Sequence, residues 1–346
     1  MNTNGAGMSA TLSFGIKDIW AAQKRIKGVA DNTPMIPSPY MSHVAGHDFL
    51  MKMEIMQPIG AFKLRGAMSA VMALPDHVTG VTCCSTGNHG RGVAYAAKRR
   101  GIRAVICMSE LVPQAKVDGI RALGADVRII GRSQDDAMAE SKRLCDAEGL
   151  VEISPFDDPH VIAGQGTIGR EMLAQRPDLQ TLLVPLSGGG LAAGVAVAAK
   201  SVKPDIRVIG VSMDRGAAMH ASIKAGHPVE VPEYASLADS LGGGIGLSNQ
   251  LSFPLCRDLL DETLLVTEDE IRDAMQVMFF EDRIVAEGAC VVGHAAMLSG
   301  KLPQITGPVA TIITGRNLDM AQFLAVVTGE DVRLGDLLLK GKCYGA

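Results

Sequence analysis

The sequence predicts an α/β protein of mostly parallel sheets covered by helices. Short β-branched runs alternate with helical patterns, two glycine-rich turns each follow a strand, and the one long charge-free run is broken by turn residues. Strands are expected at Val81 to Cys84, Arg103 to Met108, Asp126 to Ile130, Thr181 to Leu186, Arg207 to Val211 and Pro308 to Ile313. Helices are expected near Asn88 to Arg100, Gln114 to Leu123, Ser133 to Glu148, Pro159 to Ala174, Leu191 to Lys200 and Glu268 to Glu281, with Asp157 and Asp158 capping the one that begins at Pro159.

At 346 residues the chain has room for two modest domains or one large one. Lys plus Arg number 33 against 37 acids, a formal charge of −4, so no basic excess exists to gather the phosphates of a nucleic acid. Seven scattered cysteines without CxxC spacing read as buried thiols in a reducing compartment. The first residues, MNTNGAGMSATLSFG, lack a basic patch leading into an apolar core, so the expectation is a cytoplasmic protein. Leu182 to Ala199 carries no charge over 18 residues, the length of a membrane span, but Pro185, Ser187 and three consecutive glycines interrupt it. A strand, a turn and a buried helix fit that stretch better.

Ligands of such sheets collect where strands end and helices begin, because helix amino termini present unsatisfied N–H groups there. Two turns mark the place: STGNHGRG at Ser85 to Gly92 and SGGGLAAG at Ser187 to Gly194. The second has the make-up of a phosphate cradle, although it is neither a Walker A loop nor a GxGxxG, and standing alone it is equally a tight turn with close helix packing. Lys63, in QPIGAFKLRGA, lies between Phe62 and Leu64 where a helix starts. Desolvation and a helix amino terminus both favour the neutral amine that attacks an aldehyde, while in isolation the residue reads as an ordinary surface lysine, because most lysines are solvated.

Taken together, NTPMIPSP, KMEIMQPIGAFKLRGA, STGNHGRGVAYAAK, SPFDDPHVIAGQGTIGREML, PLSGGGLAAG, the AEGA stretch and TGRNLD resemble the fold type II pyridoxal-phosphate enzymes, in particular the serine and threonine dehydratase and serine racemase group. The resemblance runs from about Arg25 to Val327. It implies the two-domain fold of the tryptophan synthase β-subunit kind, with residues 1–80 and 155–346 forming a large cofactor domain and 81–154 a small mobile one. It implies pyridoxal 5′-phosphate held covalently by Lys63, with its phosphate on the backbone of Gly188, Gly189, Gly190 and Leu191, Asn88 on the ring hydroxyl, Phe62 against the ring face and Thr314 at the ring nitrogen. Ser85, Thr86, Gly87, Asn88 and His89 would receive the substrate carboxylate, His89 as a positional residue and not a base. Glu287 either orders the hydrogen bonds near the ring or is a helix-start carboxylate; Thr314 could otherwise be a turn hydroxyl bonded to its own backbone.

The activity so implied is dehydration and deamination of a β-hydroxy α-amino acid to a keto acid and ammonium, with the Lys63 amine taking the Cα proton and the cofactor phosphate protonating the departing hydroxyl. A hydroxyl at the ring nitrogen cannot keep the ring protonated as a carboxylate would, which suits prompt loss of a β substituent better than transamination. Racemases of the group act through a serine at the position of Thr86, so racemisation is the alternative, and the methyl of Thr86 argues for elimination. A β-replacement synthase, a non-catalytic ligand-binding protein and a Rossmann dehydrogenase are further rivals, the last lacking its fingerprint.

Several departures from the relatives stand out. Ile59 and Ala61 replace two hydroxyl positions before the lysine, and ADSLGGGIG puts Ser240 where relatives carry glycine, followed by Gly242, Gly243 and Gly244. Ser212, Gly216 and Ala218 offer no carboxylate where some relatives bind a cation, so no metal is expected. No regulatory domain is expected after the catalytic one. IGAFKLRGA, ADSLGGGIG and TGRNLD most resemble the hydroxyectoine-utilisation dehydratases, implying a hydroxylated diamino acid as substrate. The relatives also suggest a homodimer.

Overall fold

The computed structural model describes residues 14–345 apart from 31, 86 and 113. From the amino end run α1 (Ile16–Ile26), β1 (Met35–Pro37), α2 (Pro39–Ala45), β2 (Phe49–Lys52) and α3 (Lys63–Ala73). A βα series follows: β3 (Gly80–Cys84), α4 (Asn88–Arg100), β4 (Arg103–Met108), α5 (Gln114–Ala122), β5 (Asp126–Ile129), α6 (Gln134–Glu148) and β6 (Val151–Glu152). Next come α7 (Pro159–Gln175), β7 (Thr181–Pro185), α8 (Gly190–Val202), β8 (Arg207–Met213), α9 (Ala218–Ala225), α10 (Ser252–Leu259), β9 (Glu262–Val266), α11 (Glu268–Phe280), α12 (Val292–Leu298), β10 (Val309–Ile312), α13 (Met320–Thr328) and a hairpin of β11 (Val332–Leu334) with β12 (Leu337–Leu339).

Two sheets organise these elements. β3 to β6 form a four-stranded parallel sheet in the order β5-β4-β3-β6, and a six-stranded sheet in the order β1-β2-β10-β7-β8-β9 is parallel except for the β1–β2 pair. The α/β expectation holds. Along the larger sheet alternate residues feed different cores: Leu183, Ile209 and Val309 pack on one face, while Leu182, Val184, Val208, Ala310 and Ile312 pack on the other. Burial on both faces is why these strands read as continuous apolar runs.

Helix boundaries follow local chemistry. Asp158 accepts from the N–H groups of His160 and Val161, with Pro159 at the first helical position of α7, and Ser133 with Asp136 forms a capping box on α6. The expected Asn88 to Arg100 helix and Arg103 to Met108 strand match residue for residue, whereas β8 continues to Met213, two residues beyond the expected end. Asp157 does not cap α7: its carboxylate accepts from the backbone N–H groups of Gln250, Leu251 and Ser252 and caps α10 instead. One helix start has room for one N-cap, so the second acid serves a distant helix. Leu182 to Ala199 is β7, a turn and the buried start of α8, and among the described residues no helix is long and apolar enough to cross a membrane. All seven cysteines are free thiols, but Cys343 is exposed, against the expectation of burial.

Beside α3 lies a buried ion cluster that no motif announces. Arg65 bonds Glu54 at 2.8 Å and Glu171 at 2.7 Å, and Lys52 reaches Glu171 at 2.7 Å. Burial opposes the Arg65 charge, yet the two carboxylates more than offset it and hold its pKa above the ordinary value. The cluster ties β2, α3 and α7 together two residues from Lys63.

Candidate active site

The site is assembled from strand ends of the larger sheet and the first turns of α3, α4 and α8. After β10 the chain lies against the segment before Lys63: Phe62 N–H donates to the Thr314 carbonyl at 2.9 Å, Ala61 pairs with Gly315, and Asn317 Nδ2 donates to the Ile59 carbonyl at 2.9 Å. These bonds set Lys63 at the first residue of α3 beside Thr314. Its Nζ donates to the Pro155 carbonyl at 2.8 Å and sits 5.5 Å from the centroid of the Phe62 ring. Solvent reaches this side chain, but surrounding atoms desolvate the ammonium and bring its pKa down to about 8. Roughly a tenth of the amine is then neutral at pH 7, far more than for a solvated lysine.

Pro155 connects the lysine to the glycine turn. The next residue, Phe156, packs into the space that side chains at 188 and 190 would fill: a Cβ on Gly188 would collide with the Phe156 ring, and one on Gly190 would come within 2.8 Å of Phe156 Cα and its carbonyl oxygen. Gly189 has φ +89°, a left-handed conformation that glycine adopts without penalty. Ser252 Oγ donates to the Gly188 carbonyl at 2.8 Å and Cys256 Sγ to the Gly189 carbonyl at 3.4 Å. Because a trans peptide points C=O and N–H in opposite directions, the amides of Gly189 and Gly190 face away from α10. The 13-residue helix α8 has no side-chain cap and brings the positive end of its dipole to the same turn. Such a turn suits an anion, as the phosphate of pyridoxal phosphate requires, and a poised amine stands across Pro155 and Phe156 from it.

The other end of the site is made of side chains. Glu287 Oε1 and Oε2 accept from Asn88 Nδ2 at 3.0 and 3.1 Å, Oε1 from Asn317 N–H at 2.8 Å, and Oε2 from Ser240 Oγ at 3.2 Å. Asn317 Nδ2 donates in turn to Asn88 Oδ1 at 2.7 Å, which fixes the amide orientation of Asn88. Burial raises the pKa of Glu287 although its donors pull the other way. Thr314 is buried, its hydroxyl 3.3 Å from Cys290 Sγ. Of the two readings of Glu287, the network around it supports the ordering role: the short turn it precedes takes no cap from its side chain.

α4 opens on Gly87 without a side-chain cap, leaving its first amides open for a carboxylate. His89 is buried, its Nε2 donating to the Ile153 carbonyl at 2.7 Å; burial first, then Lys63, brings its pKa down to about 3, so it is neutral and unsuited to act as a base. Thr86 lies outside the described residues. Ser212 is buried on β8 with its hydroxyl on Met213 Sδ at 3.6 Å.

Contacts thus link Phe62, Lys63, Gly188, Gly189, Gly190 and Thr314 through Pro155 and Phe156, and Asn88 to Glu287 through Asn317, with Leu191 following the glycine turn at the start of α8. Pro155, Phe156, Asn317 and Cys290 belong to the site too and were not anticipated. The two adjacent aspartates at 157 and 158, more acid than one helix start can use, were the one local sign that their segment had a second task.

Residues 26–315 match a family profile described as "Pyridoxal-phosphate dependent enzyme". The chain is 50% identical over 324 residues to a Sinorhizobium fredii protein named "Putative threonine dehydratase", covering 93% of this chain and 98% of that one. It superposes on maize serine racemase with a TM-score of 0.86 at 34% identity, covering 90% and 96% of the two chains. The processed threonine deaminase isoform 2 of Solanum lycopersicum gives 0.84 at 33%, covering 90% and 86%.

Proposed function

The chain belongs to the pyridoxal-phosphate dependent enzyme family, and from that premise we propose that it is an ammonia-lyase removing water and then ammonia from a β-hydroxy α-amino acid. The observation that carries this reading is the Lys63 amine, desolvated to a pKa of about 8 and held by Pro155 beside the Gly188–Gly190 turn. Pyridoxal phosphate bound there supplies an electron sink for the pair released when an amino acid loses its α-proton. Gly188, Gly189, Gly190 and Leu191 would hold its phosphate, Phe62 would flank its ring, Asn88 would meet the ring hydroxyl and Thr314 the ring nitrogen.

The chain's own residues then divide the work. The neutral amine of Lys63 is the base that takes the Cα proton. The amides at the start of α4 would seat the substrate carboxylate, fixing which Cα bond faces that amine. Glu287 keeps Asn88 in one orientation. Because Thr314 is a neutral hydroxyl and not a carboxylate, the site favours quick departure of the β-hydroxyl over long storage of charge, and hence elimination over transamination.

The side-chain preference goes to a hydroxylated diamino acid of the kind consumed in hydroxyectoine degradation. Supporting this are the loss of hydroxyls at Ile59 and Ala61, the open space around Gly243, Gly244 and Gly246, and the solvent-reaching Asp239 carboxylate, which lies only 4.0 Å from Lys116 of α5 and is available to a second ammonium. Residues 81–154 act as a small domain closing on the large one formed by 1–80 and 155–346. The working form is a cytoplasmic homodimer. Incubating the protein with serine, threonine, hydroxyaspartate and hydroxylated diaminobutyrate, and measuring ammonium, keto acid and α-carbon inversion, tests the reading. Ammonium with the highest kcat/KM for the diamino compound is expected; inversion without ammonium would overturn it.

A further inference from the structure

One short turn, Glu287 to Cys290, touches two separate parts of the ring end of the site described above. Its first residue holds Asn88, and its last, Cys290, lies against Thr314. Cys290 is buried, and burial, then Glu287, pushes its thiol pKa up to about 12, so the sulfur keeps its proton. A neutral thiol has one proton to give. The Gly315 carbonyl, which can only accept, lies 3.0 Å from Sγ, and the Gly315 N–H, which can only donate, lies 3.2 Å away. With the thiol proton committed to the carbonyl, the remaining contact, 3.3 Å to Thr314 Oγ1, is a bond that the threonine hydroxyl donates.

We infer that Cys290 is a positioning residue that parks the proton of the Thr314 hydroxyl on its sulfur, making Thr314 a two-way partner for the nitrogen of the cofactor ring. Parked there, Oγ1 presents lone pairs and accepts from a protonated ring nitrogen. Sulfur is a weak acceptor, so the same hydroxyl can turn and donate to an unprotonated one. Without this tether the buried hydroxyl leaves its own proton unpaired whenever it accepts, and tethered to oxygen it stays parked. The side chain at 290 therefore sets how much of the ring is protonated, although it does not touch the ring. The inference rests on Thr314 facing the ring nitrogen in the proposed function.

The test uses the full-length protein reconstituted with pyridoxal phosphate labelled with nitrogen-15 in the ring. Native protein, Cys290→Ser, Cys290→Ala and Cys290→Val are compared by the ring-nitrogen chemical shift and by cofactor dissociation constant. The protonated fraction should fall in the order serine, cysteine, alanine. Cofactor binding should weaken about five- to tenfold in Cys290→Ala, the scale of one lost neutral hydrogen bond, and by less than about twofold in Cys290→Ser. Valine fills the volume without a polar atom and should behave as alanine does. Identical nitrogen shifts in all four proteins, or recovery of the native shift by valine but not serine, overturn the role of Cys290 while the visible absorbance of cofactor on Lys63 leaves the functional reading standing. Native protein that takes up no cofactor overturns both.

Discussion

At the anion end of the site the chain presents backbone, three consecutive glycines pressed onto Phe156 and braced by Ser252 and Cys256, while at the ring end it presents side chains drawn from α4, the Ser240 loop, the Glu287 turn and the strand end at Thr314. At the backbone end the amides themselves come from consecutive residues, and only their braces, Phe156, Ser252 and Cys256, come from elsewhere in the chain. The ring end depends on partners far apart in sequence, 229 positions in the Asn317–Asn88 bond. A backbone cradle tolerates almost no added atom, whereas a side-chain network loses one bond at a time.

Lys63 joins the two ends, and its loss has the largest expected effect: Lys63→Ala should lower ammonium release by roughly 10³-fold or more, since both the covalent hold and the base disappear. At the backbone end, Gly190→Ala adds a Cβ 2.8 Å from the main chain of Phe156, which cannot swing aside. Overpacking of about 1–3 kcal/mol, or roughly 5- to 150-fold in cofactor dissociation constant, is expected by equilibrium titration. An effect under twofold would mean that the cradle is softer than its packing indicates.

The ring end should fail more gradually. Glu287→Ala strands Asn88, Asn317 N–H and the Ser240 hydroxyl, and about tenfold weaker cofactor binding is expected, with Glu287→Gln retaining most of the native affinity. Ser240→Gly removes one donor of that set and should change cofactor affinity by less than about threefold, its effect appearing instead in KM for substrate. Equal losses in Glu287→Ala and Ser240→Gly would contradict the network.

The pH dependence isolates the lysine from both ends. Burial lowers the Lys63 pKa, so the amine becomes neutral as pH rises through the folded-state value, and the neutral form is the nucleophile. Stopped-flow capture of pyridoxal phosphate by the cofactor-free protein should speed up with pH and level off above about 8. Continued acceleration toward the ordinary lysine range near 10.5 would show the amine to be solvated. The same depression means that burial costs stability at neutral pH, where the unfolded chain holds its proton and the folded one resists it.

The contrast also explains what the sequence made legible. The alternation of strands and helices, the start of α3 at Lys63 and the glycine turn are all written in contiguous residues, through apolar period, capping and the absence of side chains. β1, β2, β6, β9 and the β11–β12 hairpin were missed, four of these six strands being only two or three residues long and held by their neighbours more than by propensity. Asp157 shows the limit well, because a carboxylate two residues before a proline and next to an N-cap reads as part of that local cap and is here taken by a helix more than 90 positions away. Cys290 and Asn317 carry no motif of their own; their roles come from what α4 and β10 bring beside them.

Everything at both ends presupposes a covalent hold at one lysine. Reduction of the purified holoprotein with borohydride, followed by proteolysis and mass spectrometry, reads that bond directly. The account predicts the pyridoxyl phosphate mass on the peptide containing Lys63 and its absence from every other lysine. The label on a different lysine, or on none, would contradict it.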